Sequence, residues 1–337
     1  MTKPKILRNI TEEHWIDLFD AATQADIARD FDLVTPVQRE KLDPAEISRL
    51  LPGCVGVMTC WGSVPLTAER LAAAPDLKVI AHGAGTVKGM IDPAAWQRGI
   101  VVTSMAHLLA KAVAEMTLAM IFDGLRLVSR LDRLSRRHPG DFAQARIDFR
   151  QFGRLVGANV GLVSASLVGR ETLALLKPFD VTLRIFDPFL SAAAAQQLGA
   201  QKVELDELFT RSDIVSIHAP LLPATVNLIT GKHLALLPEH AVFVNTSRGA
   251  IVNHADLLAE LRRGRIHACL DVFDPEPLPA DSPFYTLENV TLTPHVAGSN
   301  RAMRKAQGRQ AYLDVKAVLE GRAPANPVLF ERLATLA

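Results

Sequence analysis

NVGLVSASLVGRETLALLK (159–177) is the stretch whose reading decides the fold of this chain. NVGLVS is an apolar run of strand length, S-A-S-L-V-G-R-E (164–171) turns the chain, and ETLALLK continues as a helix. A strand that passes through a tight small-residue turn into a helix opens a βαβ unit. In a doubly wound fold that turn carries G-x-G-x-x-G. Here Ser164 and Ser166 stand at the first two glycine positions, and Gly169 keeps the third, which close helix–strand packing needs. The N-terminus of the helix offers free N–H groups and a positive dipole end to an anionic pyrophosphate. Asp187, at the end of TLRIFD (182–187), follows Gly169 by 187 − 169 = 18 residues. A carboxylate there accepts from ribose hydroxyls and repels a 2′-phosphate, which implies NAD rather than NADP. The same residues also fit a plain tight turn, with Asp187 as a cap before Pro188.

The alternation extends in both directions. After Asn159 it runs through TLRIFD, IVSIHA (214–219), AVFVNT (241–246), ACLDVF (268–273) and VTLT (290–293), with helical stretches between, such as HADLLAELRRG (254–264). Before it, KILRNI (5–10), DLVTP (32–36), CVGVMT (54–59), LKVIAH (77–82) and IVVTSM (100–105) have strand composition. Asp43-Pro44 and Asp92-Pro93 each place an N-cap carboxylate before a proline at a helix start. Repeated strand–helix alternation predicts parallel sheets covered by helices on both faces. HLLAKAVAEMTLAMIFDGLRLVSR (107–130) predicts one long amphipathic helix, and the basic stretch 130–157 an irregular interdomain or subunit arm. A final helix is expected over 300–321.

At 337 residues the chain predicts about two domains. Lys+Arg 37 against Asp+Glu 36 leaves a net charge of +1, which gives no basic excess for nucleic acid, so an anionic ligand must be held by local features. The three cysteines form no C-x-x-C pair and read as core residues of a reducing compartment, with no metal site. The start lacks a signal-like apolar segment, and no run of 18 apolar residues occurs, so the expected location is the cytoplasm and no membrane is implied.

Three segments supply the chemistry. N-T-S-R-G carries Arg248, D-V-F-D-P-E-P carries Glu276 and T-P-H-V-A-G carries His295, each just after an apolar run of strand type. Open α/β sheets place their sites at the carboxyl ends of strands, so a guanidinium, a carboxylate and an imidazole can meet there. Hydride reduction of a ketone needs a proton donor, which an imidazole provides when a carboxylate orients it. A guanidinium fork suits the carboxylate of a 2-oxo or 2-hydroxy acid. Singly, each residue fits an ordinary surface role, and His82, His107, His218 and His254 compete with His295. The set carries the inference.

At these residues the chain resembles the D-isomer-specific 2-hydroxyacid dehydrogenase family. H-A-P-L-L-P-A-T (218–225), GAIVNHADLLAELRRGRIHACLDVFDPEPLP (249–279) and LKVIAHGAGTVKGMIDPAAWQRGIVVTS (77–104) also look like family segments. The resemblance implies an NAD-dependent enzyme in which Arg248 clamps the substrate carboxylate and His295, partnered by Glu276, is the acid/base. It implies cofactor contacts from Ser164, Ser166, Leu167, Val168, Asp187, Ala219, Pro220, Thr225, Thr246 and Gly298, with Asp271 facing the nicotinamide carboxamide. Gly85 and Thr86 would contact the substrate. The implied architecture is a Rossmann domain (105–298) inserted into a flavodoxin-like substrate domain (1–104 and 299–337), usually as a homodimer. Two departures stand out. The S-A-S turn replaces glycines, and G-T-V-K-G-M (85–90) replaces the usual G-V-G-x-D-N, bringing Lys88 to the substrate loop. A corepressor-like nucleotide sensor of the same fold is the alternative, and the intact trio argues against it. Formate dehydrogenase carries Gln where Glu276 stands.

Overall fold

A computed structural model describes residues 2–333. The described residues divide into two compact units, 2–109 together with 299–333, and 110–298. In the first unit β1 (Lys5–Asn9), β2 (Asp32–Val34), β3 (Gly56–Thr59), β4 (Val79–His82) and β5 (Val101–Ser104) form a parallel sheet in the order β2-β1-β3-β4-β5. That is the flavodoxin-like order. The C-terminal helix Arg301–Leu319 returns to this unit, and its Tyr312 and Val315 pack with Val79 and Ala81.

The second unit contains β6 (Asn159–Val163), β7 (Thr182–Phe186), β8 (Gln201–Lys202), β9 (Ile214–Ile217), β10 (Val242–Asn245), β11 (His267–Leu270) and β12 (Val290–Leu292). All pair in parallel in the order β12-β11-β10-β9-β6-β7-β8. Strand order reverses beside β6, so the crevice for a ligand opens where β6 and β9 end. Successive residues of β10 enter opposite cores: Phe243 packs with Val215 and Leu270, while Val242 and Val244 pack with Leu162 and Cys269. Both faces are covered, so these strands read as continuous apolar runs. Each such side chain contributes about 1.5–3 kcal/mol on full burial. The fold is thus two parallel-sheet α/β bodies, as the alternation predicts.

Several local readings hold. Asp43 caps the helix Pro44–Leu50, accepting from Ala45 N (3.0 Å), whereas the helix Ala94–Gln97 has Pro93 at its cap position and Asp92, one residue earlier, accepts from Ala94 N (2.9 Å). The helix His254–Arg262 stops just before Gly264 at φ +71°. All three cysteines are buried and unbridged. The helix expected over 107–130 differs: it runs Ala106–Arg126, breaks at Leu127 (φ +55°) and resumes as Val128–Arg137. Asp123 Oδ1 takes the Ser129 N–H (2.7 Å), and the carbonyl of Leu125, which Ser129 would otherwise reach, accepts from Gly153 N (2.9 Å). Side-chain capping by Asp123 and a long-range bond from the arm therefore end the helix, and part of the expected arm is helical. Among the described residues no helix is long and apolar enough to cross a membrane.

Candidate active site

The trio stands at the ends of β10, β11 and β12, three neighbours in the sheet. Arg248 lies three positions beyond β10, held by Asn245, which donates from Nδ2 to Arg248 O (3.0 Å) and accepts from Ser247 N (3.0 Å). A Cβ on Gly249 would lie 2.0 Å from the Phe273 carbonyl, so only glycine lets this turn approach the loop after β11. That loop brings Glu276, whose Oε2 accepts from Phe273 N (3.3 Å) and whose Oε1 meets His295 Nδ1. His295 is in the left-handed region (φ +53°), an uncommon conformation for a non-glycine residue. Its N–H donates to Asp271 O (2.9 Å).

Asp271 is fully buried, and its carboxylate accepts from Thr293 Oγ1 (2.5 Å), Val296 N (2.9 Å) and Ala297 N (2.9 Å). In this structure it orders the loop that carries His295. Burial lowers the pKa of the Arg248 guanidinium and the nearby charge of Glu276 opposes the shift. Glu276 therefore couples to both other members. The side chains of His295 and Glu276 remain 47% and 35% exposed, so the pair can meet a ligand. With Glu276 on Nδ1, Nε2 is the ring nitrogen left for it.

The competing histidines have other surroundings. His82 bonds Thr59 Oγ1 (2.9 Å) and burial pulls its pKa down to about 4. His218 is only 3% exposed and desolvation takes it to about 3. His254 is engaged by Val252 O and Asp274 N. Buried histidines held neutral are poor proton donors near neutrality.

At the end of β6, Ser164 adopts φ +84°, a conformation that costs an L-residue roughly 1–2 kcal/mol. A Cβ on Gly169 would sit 2.2 Å from Ser164 O, so the third glycine position is enforced by backbone contact. Ser166 caps the helix Leu167–Leu176, its Oγ accepting from Gly169 N (3.3 Å). The N–H groups of Leu167 and Val168 precede any intrahelical partner and are the donors left for an anion. Both ring nitrogens of buried His218 lack a partner among the described residues, directly behind this turn. A closed glycine contact, small residues and free helix-start amides fit a dinucleotide pyrophosphate.

Asp187 is less open than expected. It is 8% exposed and accepts from Ala165 N (2.8 Å), Ser164 Oγ (3.2 Å) and Phe189 N (2.8 Å). The turn-cap reading is therefore realised, although a carboxylate with about four acceptor sites keeps one for a ribose hydroxyl.

The other expected contacts sit on neighbouring loops. Ala219 O accepts from Ser247 Oγ (2.5 Å), which ties the loop after β9 to the Arg248 turn. Thr225 Oγ1 donates to Pro220 O (2.6 Å) and closes its own loop. Thr246 is buried against Thr117 Oγ1 (2.8 Å), and Gly298 follows the His295 loop half-buried. Gly85, Thr86 and Lys88 lie on the loop after β4 in the first unit. There Lys88 is exposed and its N–H donates to Thr86 Oγ1 (3.3 Å). Asn245 and Ala165 N escaped the sequence reading. Asn245 sits inside the N-T-S-R-G motif, where a buried amide before a turn is its only signal.

A doubly wound sheet with this turn at its switch point defines a dinucleotide-binding α/β protein. Residues 118–297 match the family model described as the D-isomer specific 2-hydroxyacid dehydrogenase, NAD binding domain. A glyoxylate reductase of Thermofilum pendens is 34% identical over 269 residues, covering 79% of each chain. A D-3-phosphoglycerate dehydrogenase of Methanocaldococcus jannaschii is 29% identical over 274 residues, 81% of this chain and 51% of that one. The chain thus spans about half the length of the phosphoglycerate dehydrogenases it matches. The crystal structure of the TT0316 protein from Thermus thermophilus superposes with a TM-score of 0.78 at 30% identity, over 96% of this chain and 100% of the other. The chain belongs to the D-isomer specific 2-hydroxyacid dehydrogenase family, and its second unit carries the NAD-binding domain of that family.

Proposed function

We propose that this protein is an NAD-dependent oxidoreductase that transfers a hydride between NAD(H) and a small D-2-hydroxy acid or its 2-oxo acid. The observation that carries the reading is the meeting of His295 and Glu276 beside Arg248 at three adjacent strand ends. Nicotinamide, when bound, supplies or takes up the hydride. The chain's own residues do the rest. Arg248 binds the substrate carboxylate through its planar fork and polarises the neighbouring carbonyl. His295 donates a proton from Nε2 to the developing alkoxide in reduction and removes it in oxidation. Glu276 holds Nδ1, which sets the tautomer and orients the ring. Asp271 and Asn245 position the loops that carry these groups.

Ser166, Leu167 and Val168 would hold the pyrophosphate and Asp187 the ribose. Ala219, Pro220, Thr225, Thr246 and Gly298 would line the rest of the cofactor crevice. Gly85 and Thr86 are assigned to substrate binding on family resemblance. We read the protein as a cytoplasmic homodimer joined through the nucleotide-binding domain, with the first unit as substrate domain. Phe142 and Phe149, exposed on the arm, supply apolar surface for that contact.

The test is NADH oxidation against glyoxylate, pyruvate, hydroxypyruvate, phenylpyruvate and 2-oxoisocaproate. Turnover with at least one acid is expected. NADH binding without turnover on any of them would instead establish a nucleotide sensor.

A further inference from the structure

We propose that Ser164 is a positioning residue for cofactor choice: its hydroxyl locks the Asp187 carboxylate where a 2′-phosphate would have to sit. The proposal deepens the NAD reading above and rests on it. Ser164 holds a left-handed backbone (φ +84°) at a position where glycine is the unstrained residue. A side chain kept at that cost makes one bond, from Oγ to Asp187 Oδ2 (3.2 Å). Ala165 N donates to the same oxygen (2.8 Å), and Phe189 N donates to Oδ1 (2.8 Å). The Ser164 N–H also donates to Phe186 O (2.7 Å), so the turn and the end of β7 are stitched by main chain and side chain together.

These bonds have a chemical consequence. Asp187 is 8% exposed, so its charge is sheltered from water and fixed by three donors from two loops. A carboxylate held this way cannot swing aside for a dianionic phosphate, whereas the remaining lone-pair site on Oδ1 still accepts from a ribose hydroxyl. With glycine or alanine at 164, one of the three donors disappears and the carboxylate is left held by the Ala165 and Phe189 amides alone, a looser hold. A serine at the first glycine position is then a specificity device in the turn itself, and not merely a tolerated departure from the glycine pattern.

The test measures dissociation constants of NADH and NADPH by nicotinamide fluorescence for the full-length protein, S164A and S164G. S164A removes only the hydroxyl, while S164G also relieves the backbone. The unmodified protein is expected to prefer NADH. Both variants are expected to lower the NADPH-to-NADH ratio of dissociation constants about fivefold to tenfold, the size of one ordinary net hydrogen bond. S164G should melt higher than the parent, so a ratio that falls in both variants does not track stability. NADH binding with a ratio unchanged within about twofold in both variants, or an initial preference for NADPH, overturns the role of Ser164 alone. A parent protein that binds neither nucleotide refutes the NAD reading, and this proposal falls with it.

Discussion

The phosphate turn and the hydride site lie on the same sheet edge, yet they use their polar groups in opposite ways. In the turn, Asp187, Ser164 and Ser166 spend their bonds on one another and on the turn's own amides, and Asp187 is nearly buried. In the trio, Glu276 holds one nitrogen of His295 while both side chains stay partly open. The turn is a pre-set frame whose work is done largely by backbone. The trio is a set of functional atoms aimed outward by a supporting layer of Asn245, Gly249 and Asp271. A frame tolerates serine for glycine so long as its hydrogen bonds close, whereas no member of the trio has a substitute with the same chemistry.

That difference yields graded predictions. H295A should lower turnover by about 10²–10⁴-fold, the usual contribution of a positioned acid/base, while NADH affinity shifts by less than about threefold. R248K should raise the Michaelis constant for the 2-oxo acid about tenfold to a hundredfold, because an ammonium cannot reproduce the bidentate fork. An unchanged constant removes the clamp from Arg248.

The acid limb of stability comes from residues outside the trio. His82, His218 and His267 are held neutral by burial, with pKa values pulled to about 4, 3 and 4. Their unfolded forms bind a proton below the ordinary histidine value, so the stabilisation is present above about pH 6.5 and is lost as pH falls toward 4. At pH 5.5 each should cost about 1.4 kcal/mol relative to pH 8, and denaturant unfolding of H218Q should show a curve flatter by that amount. A curve as steep as the parent's would mean that His218 is protonated in the fold. The smallest effect is expected from S166A, which removes a helix cap worth about 1 kcal/mol and should lower the melting temperature by a few degrees. A melting temperature unchanged from the parent's would remove Ser166 as the cap.

Much of this was legible in the sequence. Parallel strands buried on both faces announce themselves as apolar runs, and the trio was visible because each member closes such a run. The break at Leu127 was not visible, since it depends on Asp123 reaching Ser129 and on a bond from Gly153. β8, two residues long, carries no periodicity to read. The engagement of Asp187 by Ser164 and Ala165 joins positions 22 and 23 residues apart, which spacing alone does not reveal. Asn245 acts through main-chain groups of its own turn, and no residue pattern advertises that role.

The most direct test of the division between frame and chemistry sets two measurements side by side on H295A and D187N: NADH dissociation by fluorescence, and turnover at saturating NADH with the best 2-oxo acid. The account predicts a crossed pattern. H295A keeps its NADH affinity and loses turnover, while D187N binds NADH about tenfold more weakly, as loss of a charged acceptor implies, and keeps turnover within about twofold at saturation. Losses of turnover and affinity together in both variants would contradict it.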